Sequence, residues 1–491
     1  MFIVAPLYSQ PNLGGTGLEL PFNIPIWAVF SWLVAGALFL LVQKMEFTYP
    51  RSWPFFIIFP FFIIVSSLYQ DISQPIEWLV RLLYIFGGLA FFFALFQFNV
   101  KNSLIDKILF LYVVAGGLHA VIAVLQVFSP ESLPTWMPYR NHIPIGMFQQ
   151  VNVLASFLVS TTIIAIYIIS RPLYSNLLLV NKMLLVATYA ISLYIIFLSG
   201  SRVGLLALLM TIPLILIARR TQLFRHKYTL ALLLLLACVS FLAGQAGVEK
   251  SIDKTAQLTE KSYSVARVAM YSIGAELVIQ KPMGHGIGGF LKAWNQQASD
   301  FVSRHPETYL PNYVRHPHNE VLFWMIEGGV PAITGIVAVM IGIIIGLYNT
   351  GFVRGSAYMA MLIPISLHTQ VEHPFYVSSL HWFLWLFLIY IVFRHQTKTV
   401  TINISMAAST LIQWMSIVFA ITVTILMFNT ARAQSDLYDF VTGKKTEGPY
   451  LKVALANLYT QKNAEQIAMR SMLYKSIETS DRERVISFMQ W

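Results

Sequence analysis

The sequence predicts an all-α, polytopic integral membrane protein, and three observations lead to that prediction. The composition is 57% hydrophobic and 11% charged, with a mean hydropathy of +0.65 over 491 residues, which excludes an ordinary water-soluble globule. Apolar runs of about twenty residues recur along most of the chain, bounded by charged residues, Pro or Gly. Lys and Arg are concentrated in alternate connections between these runs, as expected for a chain that crosses a bilayer repeatedly.

Twelve apolar runs are candidate membrane spans, and several are short enough that neighbouring runs are alternatively helical hairpins. They cover residues 22–43, 54–70, 76–98, 104–128, 147–169, 183–198, 203–218, 228–247, 318–347, 357–371, 375–394 and 406–428. The chain is thus divided into a membrane domain over residues 1–428, with a large polar loop at 248–317, and a C-terminal tail over residues 429–491.

The basic residues predict the orientation of these spans. One set of alternate loops contains thirteen Lys and Arg residues and the other contains two; the basic set faces the cytoplasm. The amino terminus, the large loop and the tail then face the periplasm of a bacterium, so we predict an inner-membrane protein. The thirteen are Lys44, Arg51, Lys101, Lys107, Arg171, Lys182, Arg219, Arg220, Arg225, Lys227, Arg354, Arg394 and Lys398; the two are Arg140 and Arg202.

The net charge and the single cysteine exclude two other classes of protein. The net charge of +11 is spread over short loops rather than gathered in one basic patch with interleaved aromatics, which argues against nucleic-acid binding. Cys238 lies in an apolar run, so we expect no disulfide. Met1 to Ser9 lacks a basic segment before its short apolar run, so we expect no cleavable signal; alternatively, Met1 to Tyr8 is the remnant of a further span.

Polar residues that are far apart in the sequence fall on the predicted periplasmic face. They are the stretches Gln149 to Asn152, Ser199 to Arg202, Arg315 to Glu320 and Glu372 to Pro374, with His368 one helical turn before the last. Ionisable side chains at a bilayer boundary are costly unless they have a function. The sequence therefore predicts a site where these stretches meet.

His318 is the predicted centre of that site. Pro317 suits the first position of a helix, which places His318 in the first turn, where the positive end of the helix dipole attracts anions and disfavours imidazolium. His318 is then a neutral proton acceptor, and Glu320 is placed to orient a neighbouring imidazole. Glu327 lies roughly 13 Å further along the helix axis and needs a partner or a proton there.

Two features are predicted within the large loop. Ser264 to Gln280 has the pattern of an amphipathic helix that lies along the membrane surface. Gly284 to Gly289 is rich in glycine, but no strand precedes it, so we interpret it as a tight turn and keep a phosphate-binding cradle as an alternative.

The order of these motifs resembles the O-antigen ligase superfamily, whose members include lipopolysaccharide O-antigen ligases and bacterial protein O-oligosaccharyltransferases of the PglL type. The resemblance covers roughly residues 140 to 395, and the His-Pro-His-Asn-Glu motif at His316 is its specific part. The Gln149 to Asn152 and Glu372 to Pro374 elements are more similar to the protein-glycosylating branch. Where the ligase pattern has Gly, Thr or Tyr, this chain has Ala332.

The resemblance implies a GT-C-like membrane enzyme, a glycosyltransferase without metal or cofactor. It would transfer a whole glycan from undecaprenyl diphosphate to a Ser or Thr hydroxyl of a periplasmic protein or pilin, with inversion at the sugar carbon. In this resemblance His318 is the catalytic base, while Arg202 and Arg267 bind the donor diphosphate. The supporting residues are Arg315, His316, Asn319, Glu320, Gln149, Asn152, Glu372 and His373.

Several alternatives stay open at the sequence level. The acceptor is alternatively lipid A core, or another glycan, as in an O-antigen polymerase, and a flippase for lipid-linked sugar is the alternative from a different class. For single residues, the alternative interpretations are that Arg202 anchors the end of a span and that Arg81 snorkels to the interface. A further alternative is a zinc site formed by His305, His316, His318 and His373. The tail has the spacing of a helical hairpin similar to one tetratricopeptide unit, which docks the acceptor or packs on the membrane domain.

Overall fold

The structure is a computed structural model, and it describes residues 1–70, 72, 74–259, 265–311, 314–444 and 450–490. It is 76% helical, which confirms the predicted all-α class. The α-helices are α1 (Asn23–Lys44), α2 (Trp53–Tyr69), α3 (Pro75–Gln97), α4 (Asn102–Phe128), α5 (Val151–Ile169), α6 (Pro172–Asn176), α7 (Leu179–Ser199), α8 (Arg202–Phe224), α9 (Lys227–Thr259), α10 (Ala266–Gln280), α11 (Phe290–Arg304), α12 (Glu320–Asn349), α13 (Phe352–His368), α14 (Pro374–Val377), α15 (Ser379–Phe393), α16 (Met406–Val441), α17 (Lys452–Ala456), α18 (Gln461–Glu478) and α19 (Arg482–Gln490).

Each of the twelve predicted spans coincides with a helix. Within the described ranges, nine helices are long and apolar enough to cross a membrane: α1, α3, α4, α5, α7, α8, α9, α12 and α16. Two more, α2 and α15, are apolar but shorter; at 1.5 Å per residue the 15 residues of α15 span roughly 22 Å, less than the hydrocarbon thickness of a bilayer. The chain is therefore a multi-pass membrane protein.

Helix α5 is the centre of the bundle. Its membrane-crossing window is 94% buried, and it packs against α4, α7, α8 and α13. Small residues allow the close approach, since a Cβ at Gly116 of α4 would lie 2.2 Å from the Thr161 hydroxyl of α5. The polar side chains within this window of α5 are therefore held in the core of the molecule.

A two-stranded antiparallel sheet was not anticipated from the sequence. Strand β1 (Glu46–Pro50) follows α1 and pairs with strand β2 (Thr397–Thr401), which precedes α16. Both strands belong to the Lys- and Arg-rich set of connections. Their pairing places these two connections together at one end of the bundle.

Two helices extend beyond the predicted spans. Helix α9 ends at Thr259 rather than at 247, and α16 ends at Val441 rather than at 428. Hydropathy marks where the apolar run stops, but nothing in the backbone requires the helix to stop there. The first part of the predicted polar loop is therefore helical, and the division at 428 remains a prediction because a single helix crosses it.

Helix α10 contains the predicted amphipathic helix from Ala266 onward; Ser264 lies outside the described residues. Its apolar side chains, such as Met270 and Ile273, pack in one cluster with Phe290 of α11 and Phe323 of α12. The expectation that this apolar side rests on the membrane is wrong, because it faces protein. The helix is thereby fixed beside the segment that contains His318.

The tail contains α17 and α18 where the sequence predicts the two helices of a hairpin, and the end of α16 packs against them. Leu437 of α16 packs with Leu451, Ala454 of α17 and Ala464 of α18. The tail also contacts the N-terminal segment, where Asn463 Nδ2 donates to Glu19 Oε1 at 2.8 Å.

Candidate active site

Glu372 is the point at which the separate polar stretches meet. Its Oε1 accepts hydrogen bonds from Asn152 Nδ2 at 2.7 Å and from an Arg267 guanidinium nitrogen at 3.4 Å. Its Oε2 accepts from Gln150 Nε2 at 2.7 Å and lies 3.2 Å from His368 Nε2. Side chains from α5, α10 and α13 are thus joined through one carboxylate.

The Ser-Gly-Ser-Arg stretch is joined to the same network by Ser201, whose hydroxyl donates to Asn152 Oδ1 at 2.7 Å. Ser201 also caps α8 by accepting from the Gly204 amide. Gly200 ends α7 at φ 58°, and a Cβ there would lie 2.5 Å from the Gly247 carbonyl oxygen of α9. The glycine is required because α9 passes this turn at contact distance.

A cavity of about 390 Å³ opens beside this network, and its wall is cationic. Arg202, Lys250 and Arg267 line it, as do the first residues of α5 and α8. Helix N-termini and cationic side chains both attract anions, so the cavity is suited to a group such as a diphosphate. The lining residues are Val127, His142, Ile143, Pro144, Val151, Asn152, Leu198, Ser199, Gly200, Ser201, Arg202, Val203, Lys250, Arg267 and Val371.

His318 lies before α12 rather than in its first turn. The helix begins at Glu320, and Asn319 is the capping residue, whose Oδ1 accepts from the Leu322 amide at 2.9 Å. His318 has φ 54°, a left-handed conformation that is unusual for a side chain other than glycine. The expected position of Pro317 at the start of the helix is wrong because Asn319 is a stronger cap.

Three imidazole rings lie in a row, and His318 among them interacts electrostatically with Glu372 and with Arg267 of the cavity wall. The ring centres of His316 and His318 are 4.6 Å apart, and those of His316 and His373 are 4.3 Å apart. His373 Nδ1 lies 2.9 Å from Glu320 Oε2 without hydrogen-bond geometry. Tyr271 of α10 donates to the His318 carbonyl oxygen at 3.2 Å, so α10 holds this segment in place.

Burial and neighbouring charges set the protonation of these groups. Burial lowers the pKa of His318 below its ordinary value; the Glu372 carboxylate opposes this shift, and the charge of Arg267 adds to it. Burial also holds the pKa values of His316 and His373 well below the ordinary value. Burial opposes ionisation of Glu372, but hydrogen bonds from His368 and Asn152 outweigh it and lower the pKa to about 2. At neutral pH all three imidazoles are therefore neutral, and His318, whose pKa is lowered least, is the strongest proton acceptor of the three. Glu372 is a carboxylate at that pH.

Helix α12 is interrupted below the site. Gly329 has φ 61° and ψ −155°, and Pro331 has no amide hydrogen, so the Ile326 and Glu327 carbonyl oxygens lose their partners within the helix. They accept instead from the His285 amide at 2.8 Å and the Gly286 amide at 3.0 Å. These amides of the Gly-rich turn are therefore occupied, which contradicts the phosphate-cradle alternative.

Arg81 is buried rather than snorkelling to the interface. Its guanidinium carbon lies 4.4 Å from the ring centres of both Phe323 and Tyr376, and one nitrogen is 3.5 Å from Glu327 Oε1. Its Nε and one terminal nitrogen have no hydrogen-bond partner among the described residues. Glu327 therefore has the partner that its depth in the helix requires.

Some sequence-predicted residues lie at the edge of the site. Arg315 donates to Glu19 Oε2 at 2.5 Å and so contacts the N-terminal segment. Asn319 Nδ2 donates to the Gln370 carbonyl oxygen at 2.8 Å, which ties the cap to the loop before Glu372. In the Gln149 to Asn152 element it is Gln150, not Gln149, that contacts Glu372. His305 lies at the end of α11 against Phe301.

Sequence analysis missed four residues at or beside the site: His142, Gln150, Lys250 and Tyr271. Lys250 was missed because the apolar run of α9 predicts that the helix ends before it. Gln150 was missed because its neighbour, Gln149, was the predicted supporting residue. Across the described ranges, no group of three or more His, Cys, Asp or Glu side chains is arranged to hold a metal ion.

The fold and the site define a multi-pass membrane protein with a cationic cavity and a buried imidazole cluster at one end of its helices. Residues 187–337, which include Arg202, Arg267 and His318, match the family described as O-Antigen ligase. Residues 356–476, which include Glu372, match the family described as Virulence factor membrane-bound polymerase, C-terminal. A comparison with curated proteins gives no match.

The chain therefore belongs to the O-antigen ligase superfamily. Membership implies glycan transfer of the ligase or polymerase kind, with a lipid-linked glycan as the donor, in a membrane context.

Proposed function

We propose that this protein transfers an oligosaccharide en bloc from undecaprenyl diphosphate to Ser or Thr hydroxyls of periplasmic proteins, pilins among them. The observation that carries the proposal is a neutral His318 that interacts electrostatically with Arg267, which lines a cavity together with Arg202 and Lys250. The acceptor hydroxyl attacks the sugar carbon as the bond from that carbon to the diphosphate oxygen breaks. The hydroxyl proton goes to His318, and the negative charge goes to the diphosphate, which the cations stabilise.

The reaction as proposed inverts the sugar carbon and needs no metal. Attack and departure occur on opposite faces in one step, and the cationic side chains supply the charge stabilisation that a divalent ion supplies in other phosphate chemistry. Activity that survives dialysis against a strong chelator supports this part of the proposal. Loss of activity that is restored by a divalent cation contradicts it.

The donor site is tested by charge removal at the cavity wall. We expect Arg202→Ala, Arg267→Ala and Lys250→Ala each to raise the donor KM by roughly tenfold or more, because each removes one cation from a diphosphate. Lys292→Ala is the matched control, since Lys292 is an exposed lysine on α11 that does not line the cavity. Equal effects of Lys250→Ala and Lys292→Ala would show that Lys250 has no part in donor binding.

The acceptor is tested in cells. The elements Gln149 to Asn152 and Glu372 to Pro374, which resemble the protein-glycosylating branch, contact each other: Gln150 and Asn152 supply two of the four polar partners of Glu372. We expect mass spectrometry of periplasmic proteins to lose glycopeptides when the gene is deleted, while the lipopolysaccharide gel is unchanged. A changed lipopolysaccharide pattern with intact glycopeptides would instead assign the protein to lipid A core ligation.

A glycan polymerase is the second candidate function. The match of residues 356–476 to the virulence-factor polymerase family favours it. In that case the attacking hydroxyl belongs to another lipid-linked glycan, and the donor cavity and His318 keep the same roles. The product of purified enzyme with donor alone separates the two, because a polymerase lengthens the glycan without added protein.

We also propose that the protein lies in the bacterial inner membrane with this site on the periplasmic face. The distribution of Lys and Arg supports this orientation. The pairing of β1 with β2 supports it too, because it brings two basic connections to one end of the bundle.

A further inference from the structure

A chain of hydrogen bonds runs from Glu372 into the core of the membrane domain. Beyond His368 Nε2, the second nitrogen of His368, Nδ1, lies 2.8 Å from Ser156 Oγ. Ser156 Oγ lies 3.2 Å from His381 Nε2, and His381 Nδ1 lies 2.9 Å from Ser378 Oγ. We call these five residues the Glu372 chain.

The inner members of the Glu372 chain are fully buried. Ser156, His368, His381 and Ser378 each have a relative exposure of 0%. They lie on or next to α5, α13 and α15, and none of them lines the cationic cavity. They therefore contact neither solvent nor a ligand in that cavity, and the hydrogen bonds that lead from them toward it end at Glu372.

For a neutral His368, one assignment of hydrogens satisfies every contact between members of the chain. In it the Ser156 hydroxyl donates to His368 Nδ1 at 2.8 Å rather than to the Val153 carbonyl oxygen at 3.1 Å. The Glu372 carboxylate only accepts, so His368 Nε2 donates and its Nδ1 accepts from the Ser156 hydroxyl. The Ser156 oxygen then accepts from His381 Nε2, and His381 Nδ1 accepts from Ser378. Every donor points toward Glu372, and hydrogen bonds aligned in this way reinforce one another in a low-dielectric core.

We propose that His368, Ser156 and His381 are positioning residues that fix the orientation of Glu372 and so place Arg267 and Asn152 at the cavity wall. With Oε2 held by His368 and Gln150, Oε1 faces Asn152 and Arg267. Without the chain, Oε2 keeps only the hydrogen bond from Gln150. The orientation of the carboxylate is then less restricted, and Arg267 has a less fixed partner. The inference rests on the proposed role of the cavity in binding the donor diphosphate, and it is independent of the acceptor.

Removal of the central hydroxyl is the direct test. We expect Ser156→Ala to weaken binding of undecaprenyl diphosphate to the purified full-length protein by roughly tenfold, the size expected for hydrogen bonds that end on a charged group. Ser160→Ala is the matched control, because Ser160 is one turn further along α5, is also 0% exposed, and lies outside the Glu372 chain. We expect it to change binding by less than roughly twofold.

A double-mutant cycle separates positioning from a general loss of packing. If Ser156 acts through Glu372, Ser156→Ala has no further effect on binding in the Glu372→Gln background. Equal effects of Ser156→Ala in the two backgrounds would overturn the inference. If Arg267→Ala leaves binding unchanged, the proposed cavity function has failed instead, so the two failures are distinguishable.

A second pair of variants keeps the test valid if Ser156→Ala does not fold. His368→Leu removes both contacts of the ring, whereas the amide of His368→Gln can donate to Glu372 and accept from Ser156. We expect His368→Gln to retain binding within a few fold and His368→Leu to lose it by roughly a hundredfold. Equal binding by these two variants would contradict the inference.

The pH dependence of binding provides an independent readout. The titratable and charged groups that interact with Glu372 are Arg267 and Tyr271 from α10, His368 from α13, His316 and His318 from the segment before α12, Arg202 from α8, and the adjacent His373. Loss of a donor raises the pKa of Glu372, so protonation occurs at a higher pH and the acid limb of donor binding moves upward in His368→Leu. An unshifted acid limb in a folded His368→Leu protein would overturn the inference.

Discussion

At the scale of single residues, His318 combines an unusual backbone with a neutral ring. Its φ of 54° is left-handed, and α12 begins two residues later. Nδ1 is buried and has no hydrogen-bond partner in the part of the chain that the structure describes. A strained, partly unsatisfied imidazole does not stabilise the fold, and this supports the catalytic role that we propose for His318.

We expect His318→Ala to lower the rate of glycan transfer by roughly 10²- to 10⁴-fold, the range for loss of a general base. The thermal unfolding temperature should not fall, because the substitution removes no buried apolar contact of α12. His305→Ala is the control, since His305 lies against Phe301 at the end of α11. Comparable transfer rates for the two variants would reject His318 as the base.

The pH profile of transfer should report the pKa of His318. Transfer needs the neutral ring, so activity is lost as the pH falls through that pKa. Because the pKa is lowered from the ordinary value of 6.5, the acid limb of kcat/KM should lie below 6.5. Arg267→Gln removes a charge that lowers this pKa, so its acid limb should move to a higher pH. A limb that moves downward would contradict this assignment.

The Arg81 and Glu327 pair gives a stability prediction. Arg81→Leu leaves the fully buried Glu327 without its counter-charge, and we expect a loss of about 3 kcal/mol or more in the free energy of unfolding. The double variant Arg81→Leu with Glu327→Gln should recover much of that loss, because no uncompensated charge remains. Denaturant unfolding in mild detergent measures both; a double variant no more stable than the single would indicate that packing, not charge, dominates.

At the scale of elements, the interruption of α12 is the feature that links the site to the Gly-rich turn. A Cβ at Gly329 would lie 2.3 Å from the Met283 carbonyl carbon, and one at Gly284 would lie 2.4 Å from the Glu327 carbonyl oxygen. The two segments therefore approach with backbone against backbone. This approach requires glycine on both sides, and it buries the amides that a phosphate cradle would have offered.

We expect Gly329→Ala to lower the unfolding temperature far more than Gly351→Ala. Both glycines have positive φ, so both substitutions cost about 1 kcal/mol or more in backbone strain. Only Gly329 also meets backbone atoms at clashing distance, whereas nothing lies within 4 Å of a Cβ at Gly351. Thermal unfolding of the two purified variants measures the difference, and equal unfolding temperatures would show that the α12 interruption can relax.

At the scale of the whole molecule, α5 connects the membrane core to the site. It carries Asn152 at its first turn and Ser156 one turn deeper, and four helices surround it. The segments on which Glu372 depends thus come from widely separated positions in the sequence of the membrane domain. Their arrangement requires the complete bundle, so we expect fragments of this chain to lack the donor cavity.

Reporter fusions test the orientation of the bundle. A fusion of alkaline phosphatase after Gly443 should be active, because the tail is expected in the periplasm. A fusion after Gly351, between α12 and α13, should be inactive as phosphatase and fluorescent as a green fluorescent protein fusion, because basic connections face the cytoplasm. The reverse pattern would place His318 on the cytoplasmic side and reject the proposed reaction.

The sequence by itself determined where the membrane-crossing helices lie, because a bilayer demands apolar runs of a set length and the runs are read directly from composition. It also marked the stretches at Asn152, Arg202, His318 and Glu372 as polar groups at span ends. Only the tertiary structure decided how they meet: Lys250 reached the cavity because α9 continues, and the Glu372 chain joined three helices. Such contacts depend on which helices are neighbours, and periodicity along one helix contains no information about its neighbours.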